Sequence, residues 1–254
     1  MPVELTLKPE QRGPLSVYPF EDAREFNVEA MITDRFGGVS HAPYDSLNLA
    51  THVGDRSDDV EENRRRVATA IGVDSEHVIT VNQVHGNEVL DVGANQDGLK
   101  GDGLVTSTPG LALAILVADC VPILLVDDAS PRFGVVHAGW RGLAAGVIAS
   151  AISHFEDPRT VHAFIGPCIS MEGYQVGPEV AEQFAAYPDS VIADVDDRAR
   201  LDLRGLTACQ LLERGVLDHN IAYSRQSTDG GELFYSDRAK RPCGRFALVA
   251  KRAS

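Results

Sequence analysis

Three side chains with metal-binding or nucleophilic chemistry, His85, Cys120 and His137, each follow or interrupt an apolar run. A thiolate with two imidazoles is a known ligand set of catalytic zinc, with the fourth position open to water or substrate. The gaps of 35 residues (120 − 85) and 17 residues (137 − 120) match no local finger pattern. The same residues also permit a nucleophile pair, with Cys120 attacking and His137 as its base. Residue types alone leave both chemistries open.

Each of these side chains belongs to a short polar segment in apolar surroundings. The segments are 82–86, 118–122 and 137–142. The first follows a predicted strand, the second separates two buried runs, and the third marks the change from strand to helix. Because strand ends of one sheet can converge, these positions favour a shared site.

Further candidate residues flank the same segments. Asp119 either orients a ligand or carries a proton next to Cys120, or it caps a turn. Asn48 and Gln83 have the donors and acceptors to bind a nucleobase or sugar. Arg64 belongs to a run of three arginines, residues 64–66, on a predicted helix. At most one of the three can reach a substrate phosphate.

The turn after His137 is a candidate anion site. Gly139 and Gly142 flank Trp140 and Arg141 at a predicted helix start. Free backbone N–H groups and the helix dipole favour an anion there, with Arg141 as a substrate ligand. The alternative is an ordinary glycine turn in which Trp140 packs against the core.

The pattern along the chain predicts more strands than helices. Strands are predicted at 27–33, 77–83, 88–92, 111–117, 121–126, 133–137, 160–165, 221–225, 233–236 and 246–250. Helices are predicted at 57–71, 143–155, 178–186 and 203–214. Many neighbouring strands have no helix between them, which indicates a mixed α+β fold. We expect one domain, residues 27–254, preceded by a polar surface segment, residues 1–26.

Composition restricts the partners. The 254 residues include 23 Lys and Arg against 37 Asp and Glu, a net charge of −14, whereas nucleic-acid binding needs a basic face. The longest apolar run, 111–118, is far shorter than the roughly 20 residues of a membrane span. No signal-peptide pattern begins the chain, and four cysteines without a CxxC pair indicate reduced thiols. We expect a cytoplasmic protein with no nucleic-acid or membrane partner.

A series of short motifs, in order over roughly residues 31–250, carries a family resemblance. The motifs are Ser46-Leu47-Asn48-Leu49, His52-Val53-Gly54-Asp55, Glu62-Asn63-Arg64, Gln83-Val84-His85-Gly86, Gly101-Asp102-Gly103, Ala118-Asp119-Cys120-Val121-Pro122, His137-Ala138-Gly139-Trp140-Arg141-Gly142, Gly166-Pro167-Cys168-Ile169, Tyr174-Gln175-Val176-Gly177, Leu201-Asp202-Leu203 and Gly244-Arg245. Together they resemble the laccase-domain family, also called multicopper polyphenol oxidase-like or peptidoglycan editing factor proteins. The motif at 137–142 is the most specific of them.

The resemblance implies a fold, a metal and an activity. It implies a single α/β/β/α layered domain with mixed sheets and a zinc ion (Zn²⁺) on His85, Cys120 and His137. It also implies purine nucleoside phosphorylase activity on adenosine, inosine or methylthioadenosine, with adenosine deaminase activity besides. The expected partners are a purine nucleoside and phosphate, and Arg64 and Asn48 match pocket positions for phosphate and nucleoside. The oligomeric state does not follow.

Two other enzyme hypotheses accompany this one, beside a third in which the protein only binds its ligand and holds a metal tightly without turnover. The editing role suggests a cysteine- or zinc-dependent amidase acting on a peptidoglycan precursor, with Cys120 and His137 as catalytic residues. The laccase label implies copper, but 8 His without a His-x-His pair, and no Cys flanked by closely spaced His and Met, argue against a multicopper oxidase.

The sequence departs from the family pattern near its C-terminal end. Ser227-Thr228 stands where the family often has Cys-Thr. Ser236-Asp237-Arg238-Ala239 stands where the family has Ser-Tyr-Arg-Arg. These differences concern the expected substrate rim more than the metal ligands, so they bear on substrate preference.

Overall fold

The chain folds into short strands and a few helices. The computed structural model describes residues 2–93 and 98–253. Its strands are β1 (Val3–Leu5), β2 (Glu10–Arg12), β3 (Leu15–Pro19), β4 (Val28–Thr33), β5 (Val78–Thr80), β6 (Val89–Asp91), β7 (Gly103–Thr106), β8 (Ala112–Val117), β9 (Val121–Asp127), β10 (Phe133–Ala138), β11 (Val161–Ile165), β12 (Gln175–Val176), β13 (Val191–Ala193), β14 (Ala199–Leu201), β15 (Ile221–Ser224) and β16 (Phe246–Arg252). Its α-helices are α1 (Ser57–Ile71), α2 (Trp140–Ala145), α3 (Val147–Ile152), α4 (Pro178–Ala181) and α5 (Leu203–Glu213).

Two mixed sheets stack face to face between helices. The seven-stranded sheet has the order β1-β15-β11-β9-β10-β7-β6, and the six-stranded sheet has the order β2-β3-β4-β16-β8-β5. Helix α1 packs on β3, β4 and β16 of the six-stranded sheet, whereas α2, α3 and α5 pack on the seven-stranded sheet. The strands β12, β14 and β13 form a small third sheet. The expected α/β/β/α layering is confirmed.

Strands β8 and β9 explain why the two longest apolar runs show no polar alternation. Ile115 of β8 and Leu124 of β9 share the core between the sheets. Ala114 of β8 instead faces the α1 layer, and Ile123 of β9 faces the other helical layer. Strands buried on both faces are apolar at consecutive positions. The connection between β8 and β9, residues 118–120, therefore crosses from one sheet to the other.

Helix α1 follows the predicted bounds. Asp58 and Asp59 lie in its first turn, and Gly72, at φ +77°, ends it in the left-handed conformation that glycine adopts readily. Within residues 2–93 and 98–253, none of the helices has the length and apolarity to cross a membrane.

Three expectations need correction. Residues 2–26 are not a separate surface segment, because β1 joins the seven-stranded sheet, β2 and β3 join the six-stranded sheet, and Leu15 and Val17 are buried. The helix expected at 143–155 is split into α2 and α3 by Gly146, at φ +87°. Residues 233–236 form no strand, although Phe234 and Tyr235 are buried as the pattern suggested.

Candidate metal centre

The three expected ligands meet at one point in the fold. His85 lies in the segment after β5, Cys120 in the β8–β9 connection and His137 near the end of β10. Their ligand atoms all lie within 4.8 Å of one another, and the two imidazole rings meet edge to face at 4.8 Å between centroids. His137 is buried, Cys120 is half-buried and His85 is exposed. The group therefore opens to solvent on the side of His85.

Asp102 interacts with both histidines, with the backbone of His85 and with the ring of His137. This carboxylate, fully buried before β7, lies 2.8 Å from Nδ1 of His137. It also accepts the backbone N–H groups of His85, at 2.9 Å, and Gly86, at 2.6 Å. These bonds stabilise His85 at φ +57°, an unusual conformation for a residue with a side chain. With Nδ1 occupied, Nε2 is the nitrogen of His137 left for a ligand.

The charges of the group favour a thiolate. Burial alone would raise the pKa of the Cys120 thiol, but the charge of His137 and hydrogen bonds from His137 and His85 lower it to about 6. Burial would likewise lower the pKa of His137, yet the Cys120 charge and the Asp102 hydrogen bond raise it to about 9. In the metal-free protein the pair is a thiolate facing an imidazolium near neutral pH.

Two glycines in the turn after β10 make room for the ligands. A Cβ on Gly139 would lie 2.9 Å from Sγ of Cys120 and 3.3 Å from Cδ2 of His85. A Cβ on Gly142 would lie 2.9 Å from the carbonyl oxygen of Gly86. A Cβ at either position would force its neighbours to shift, so glycine lets α2 lie against His85 and Cys120 without displacing them.

The donor set fits a metal ion. Zn–N bonds of about 2.0 Å and Zn–S bonds of about 2.3 Å place tetrahedral ligands roughly 3.3–3.8 Å apart. The three donor atoms, within 4.8 Å of one another, reach that spacing with small side-chain movements. A thiolate and two imidazoles suit zinc, and Asp102 supplies the hydrogen bond that metal-binding histidines usually make. His85, Cys120 and His137 could therefore hold a metal ion.

The group opens into a polar cavity of about 710 Å³. The cavity is lined by Thr51, His52, Arg64, Thr80, Val81, Asn82, Gln83, His85, Gly98, Leu99, Leu116, Val117, Ala118, Asp119, Cys120, His137, Trp140, Arg141, Tyr174, Asp237, Arg238, Arg241 and Arg245. Five of these residues are arginines in a chain of net charge −14. A basic cavity in an acidic protein favours an anionic ligand.

Arg64 and Arg141 line the cavity as expected, and the structure adds His52 and Arg245 nearby. Burial lowers the pKa of His52, and the charges of Arg245 and Arg64 lower it further. These groups are therefore close to one another. Arg64 donates through Nε to the Leu49 carbonyl oxygen at 2.9 Å, which fixes its guanidinium at the wall. Neither His52 nor Arg245 was predicted from the sequence to line the site, although both lie within the motifs of the family resemblance.

Asn48 is not a substrate ligand in this structure. It is fully buried, and its amide donates to the Ala50 carbonyl oxygen and to Asp55. Its Oδ1 accepts the backbone N–H groups of Ala50 and Arg245 at 3.0 Å each. Asn48 therefore holds Arg245 in place rather than facing the cavity, which corrects the expectation.

Gln83 lines the cavity but its amide is engaged with β8. It donates to the Leu116 carbonyl oxygen and accepts the Leu116 N–H, both at 2.8 Å. This pair of bonds mimics a strand ladder and fastens the segment that carries His85. Gln83 therefore has a structural role, and its role as a substrate ligand stays a prediction.

Asp119 lines the cavity, and its carboxylate is engaged with the cavity wall. It accepts the Thr228 hydroxyl at 2.6 Å and the backbone N–H of Arg238 at 2.7 Å. These bonds fix a loop of the wall, which agrees with the structural alternative for this residue; its role as a proton carrier stays a prediction. Asp102 is the residue that orients His137, and its position between two glycines before an apolar strand was the available signal.

These features define a class: a mixed α/β protein in which a His-Cys-His group that could hold a metal ion lines a basic cavity. The chain belongs to the family described as multi-copper polyphenol oxidoreductase laccase, whose profile matches residues 29–253.

Relatives and solved structures agree with this assignment. A protein named purine nucleoside phosphorylase from Mycobacterium tuberculosis is 39% identical over 229 residues, which cover 87% of this chain and 91% of the relative. Purine nucleoside phosphorylase YfiH from Escherichia coli is 38% identical over 225 residues, covering 87% and 92%. The crystal structure of YlmD from Geobacillus stearothermophilus matches with a TM-score of 0.90 and 30% identity, covering 98% of this chain and 99% of that one.

Proposed function

We propose that this protein is a zinc-dependent purine nucleoside phosphorylase that also deaminates adenosine. The observation that carries the proposal is the opening of the His85–Cys120–His137 group into an arginine-lined cavity. The relatives named purine nucleoside phosphorylase support it.

In phosphorolysis, a phosphate oxygen forms a bond to C1′ of the ribose while the C1′–N9 bond breaks. The purine leaves with the bonding electron pair and takes up a proton. Bound zinc would supply a Lewis acid that orients an oxygen ligand and lowers the pKa of a coordinated water. In deamination, the oxygen of a water molecule forms a bond to C6 of the purine, the bond from C6 to the amino nitrogen breaks, and ammonia is released.

The protein's own residues have separate tasks. Arg64 holds a charge at the cavity wall next to His52 and Arg245, where it can bind phosphate and offset its negative charge. Asp102 keeps His137 in one orientation. Gln83 and Asn48 fix the segments that carry His85 and Arg245. Positioning of this kind lowers the cost of bringing two substrates together.

Product chromatography tests the proposal. Zinc-loaded protein is incubated with adenosine, with and without phosphate, beside the Cys120→Ala variant. We expect adenine that depends on phosphate, or inosine and hypoxanthine, all lost in the variant. No product from the zinc-loaded protein, or full activity of a metal-free variant, would rule the proposal out.

The second candidate is an amidase acting on a peptidoglycan precursor. It is favoured by the series of side chains Asp102, His137 and Cys120, which resembles the catalytic residues of a cysteine hydrolase. A thiol with a pKa of about 6, a facing imidazole and an orienting carboxylate are what such an enzyme needs. Iodoacetamide separates the two candidates. A zinc-bound thiolate is protected until a chelator is added, whereas a free catalytic thiol is alkylated at once.

A further inference from the structure

Three of the five arginines that line the cavity form no ion pair within the described residues: Arg64, which is assigned above to the reacting phosphate, and Arg141 and Arg238. Asp237 forms ion pairs with Arg241 and with Arg245, the latter at 3.2 Å. Arg141 and Arg238 form no ion pair with any residue in the part of the chain that the structure describes. The nearby Asp119 carboxylate binds the backbone N–H of Arg238, not its guanidinium. The wall that carries Arg141 and Arg238 therefore keeps its positive charge.

Both guanidinium groups are held in place without an acid. Arg141 lies over the Trp140 ring at 4.2 Å, and Arg238 lies over the Tyr174 ring at 4.9 Å. Nη1 of Arg238 also donates to the Gln175 carbonyl oxygen at 2.9 Å. A planar guanidinium stacked on an aromatic ring is partly ordered before it binds, so less entropy is lost when it meets an anion.

The two charges lie on one wall, beside the metal-binding group. Trp140 and Tyr174 pack against the same core cluster, and both line the cavity with Cys120. Burial raises the pKa of Tyr174 to about 12, and the charges of Arg238 and Arg141 both act against that rise. The Arg238 guanidinium lies over the Tyr174 ring, and Arg141 lines the same cavity as Tyr174.

We propose that Arg141 and Arg238 form a second anion subsite, which binds a phosphate group carried by the nucleoside. This inference rests on the proposed function for the choice of ligand. The reacting phosphate is assigned to Arg64, so an unneutralised pair of arginines elsewhere on the wall fits an additional anion. The expected ligands are nucleoside 5′-phosphates, whose charge-assisted hydrogen bonds to arginine are strong and often bidentate.

Calorimetric titration of the zinc-loaded protein tests the subsite without turnover. The ligands are inosine and inosine 5′-monophosphate, which have no C6 amino group to lose. Phosphate is left out so that phosphorolysis cannot occur. The variants are Arg141→Gln and Arg238→Gln. The matched control is Arg241→Gln, which lines the same cavity but already has its charge paired with Asp237.

We expect the monophosphate to bind about tenfold more tightly than inosine, a difference of about 1.4 kcal/mol, because charge-assisted hydrogen bonds to arginine are strong. Arg141→Gln and Arg238→Gln should each remove most of that difference, and Arg241→Gln should keep it. Equal binding of the two ligands by the unaltered protein, or an equal loss in the control, would overturn the subsite.

Inorganic pyrophosphate keeps the two proposals distinguishable. If neither inosine ligand binds, the nucleoside function fails, and pyrophosphate alone then probes the arginines. Pyrophosphate binding that weakens about tenfold in Arg141→Gln and Arg238→Gln, but not in Arg241→Gln, supports the subsite. Binding that none of the substitutions weakens, or no binding, refutes it.

Discussion

Within residues 2–93 and 98–253, two groups of side chains have metal-ligating atoms close together, and they differ in how the chain positions them. One group is His85, Cys120 and His137, and the other is Asp74, Glu76 and His77. In both, the ligand atoms lie within 4.8 Å of one another. The first group joins three separate segments, whereas the second lies within four consecutive positions around a 3₁₀ turn.

The surroundings separate the two groups more clearly than the distances do. All three members of the surface group, Asp74, Glu76 and His77, are exposed. The group in the cavity has a buried carboxylate, Asp102, that fixes both histidine segments. Exposed ligands lose side-chain entropy when they bind, while ligands held by hydrogen bonds and packing have already lost it. Proximity is therefore common, and preorganisation is what marks a site.

The largest expected effect comes from removing a ligand of each group. Cys120→Ala should reduce bound zinc after dialysis from about one ion per chain to below a tenth, and nucleoside activity at least 100-fold, because the thiolate is one of three protein ligands. His77→Ala, the matched control, should change neither quantity. Metal analysis and product chromatography make the measurement. Equal metal loss in both variants would mean that the two groups do not differ as argued.

Asp102→Asn tests the preorganisation itself. The amide cannot accept all the N–H groups that the carboxylate accepts, and it removes the charge facing His137. We expect zinc affinity, measured by chelator competition, to fall about 10–100-fold. The control is Asp127→Asn, which replaces another buried acceptor, bonded to Ser130 and Thr160. It should lower thermal stability while leaving zinc affinity within about twofold of the unaltered protein; a similar loss of zinc would assign the effect to general destabilisation.

The sequence was sufficient to select the three residues that could hold a metal ion. It was insufficient to identify the residue that positions them, Asp102. His85, Cys120 and His137 stand at the ends of apolar runs, and strands buried on both faces were recognisable from β8 and β9 because consecutive positions are apolar. Asp102 was not assigned a role, since an acid between glycines equally well indicates a turn. Nothing local shows that it reaches 35 residues along the chain to His137.

The same limit applies to Asn48 and Gln83. Their amides can bind a substrate or a backbone, and only the fold decides between these partners. Strands β1 to β3 were missed because they are short, and because β2, Glu10–Arg12, is entirely polar. Gly146 was placed inside a predicted helix, since the pattern of apolar residues continues across it while its backbone, at φ +87°, does not.

A smaller effect is expected in the pH dependence of thiol alkylation in the metal-free protein. The thiolate is the reactive form, and the pKa of Cys120 is about 6, so its alkylation rate should rise about tenfold between pH 5 and pH 8 and level off above pH 7. Burial raises the pKa of Cys168 to about 11, so that thiol should stay unreactive over the same range. Peptide mapping after iodoacetamide pulses gives both rates. A Cys120 rate still rising at pH 8 would contradict the thiolate–imidazolium pair.

The smallest effect should come from one added methyl group at the turn after β10. Gly139→Ala has a compatible backbone, at φ −86°, so its cost arises from the contacts of Cβ with Cys120 and His85. These side chains must move by a few tenths of an ångström, and we expect zinc affinity to fall about threefold to tenfold. Gly93→Ala is the control, because a Cβ there meets nothing within 4 Å among the residues that the structure describes. Unchanged affinity in Gly139→Ala would show that the ligands tolerate displacement, and the preorganisation would then rest on Asp102 alone.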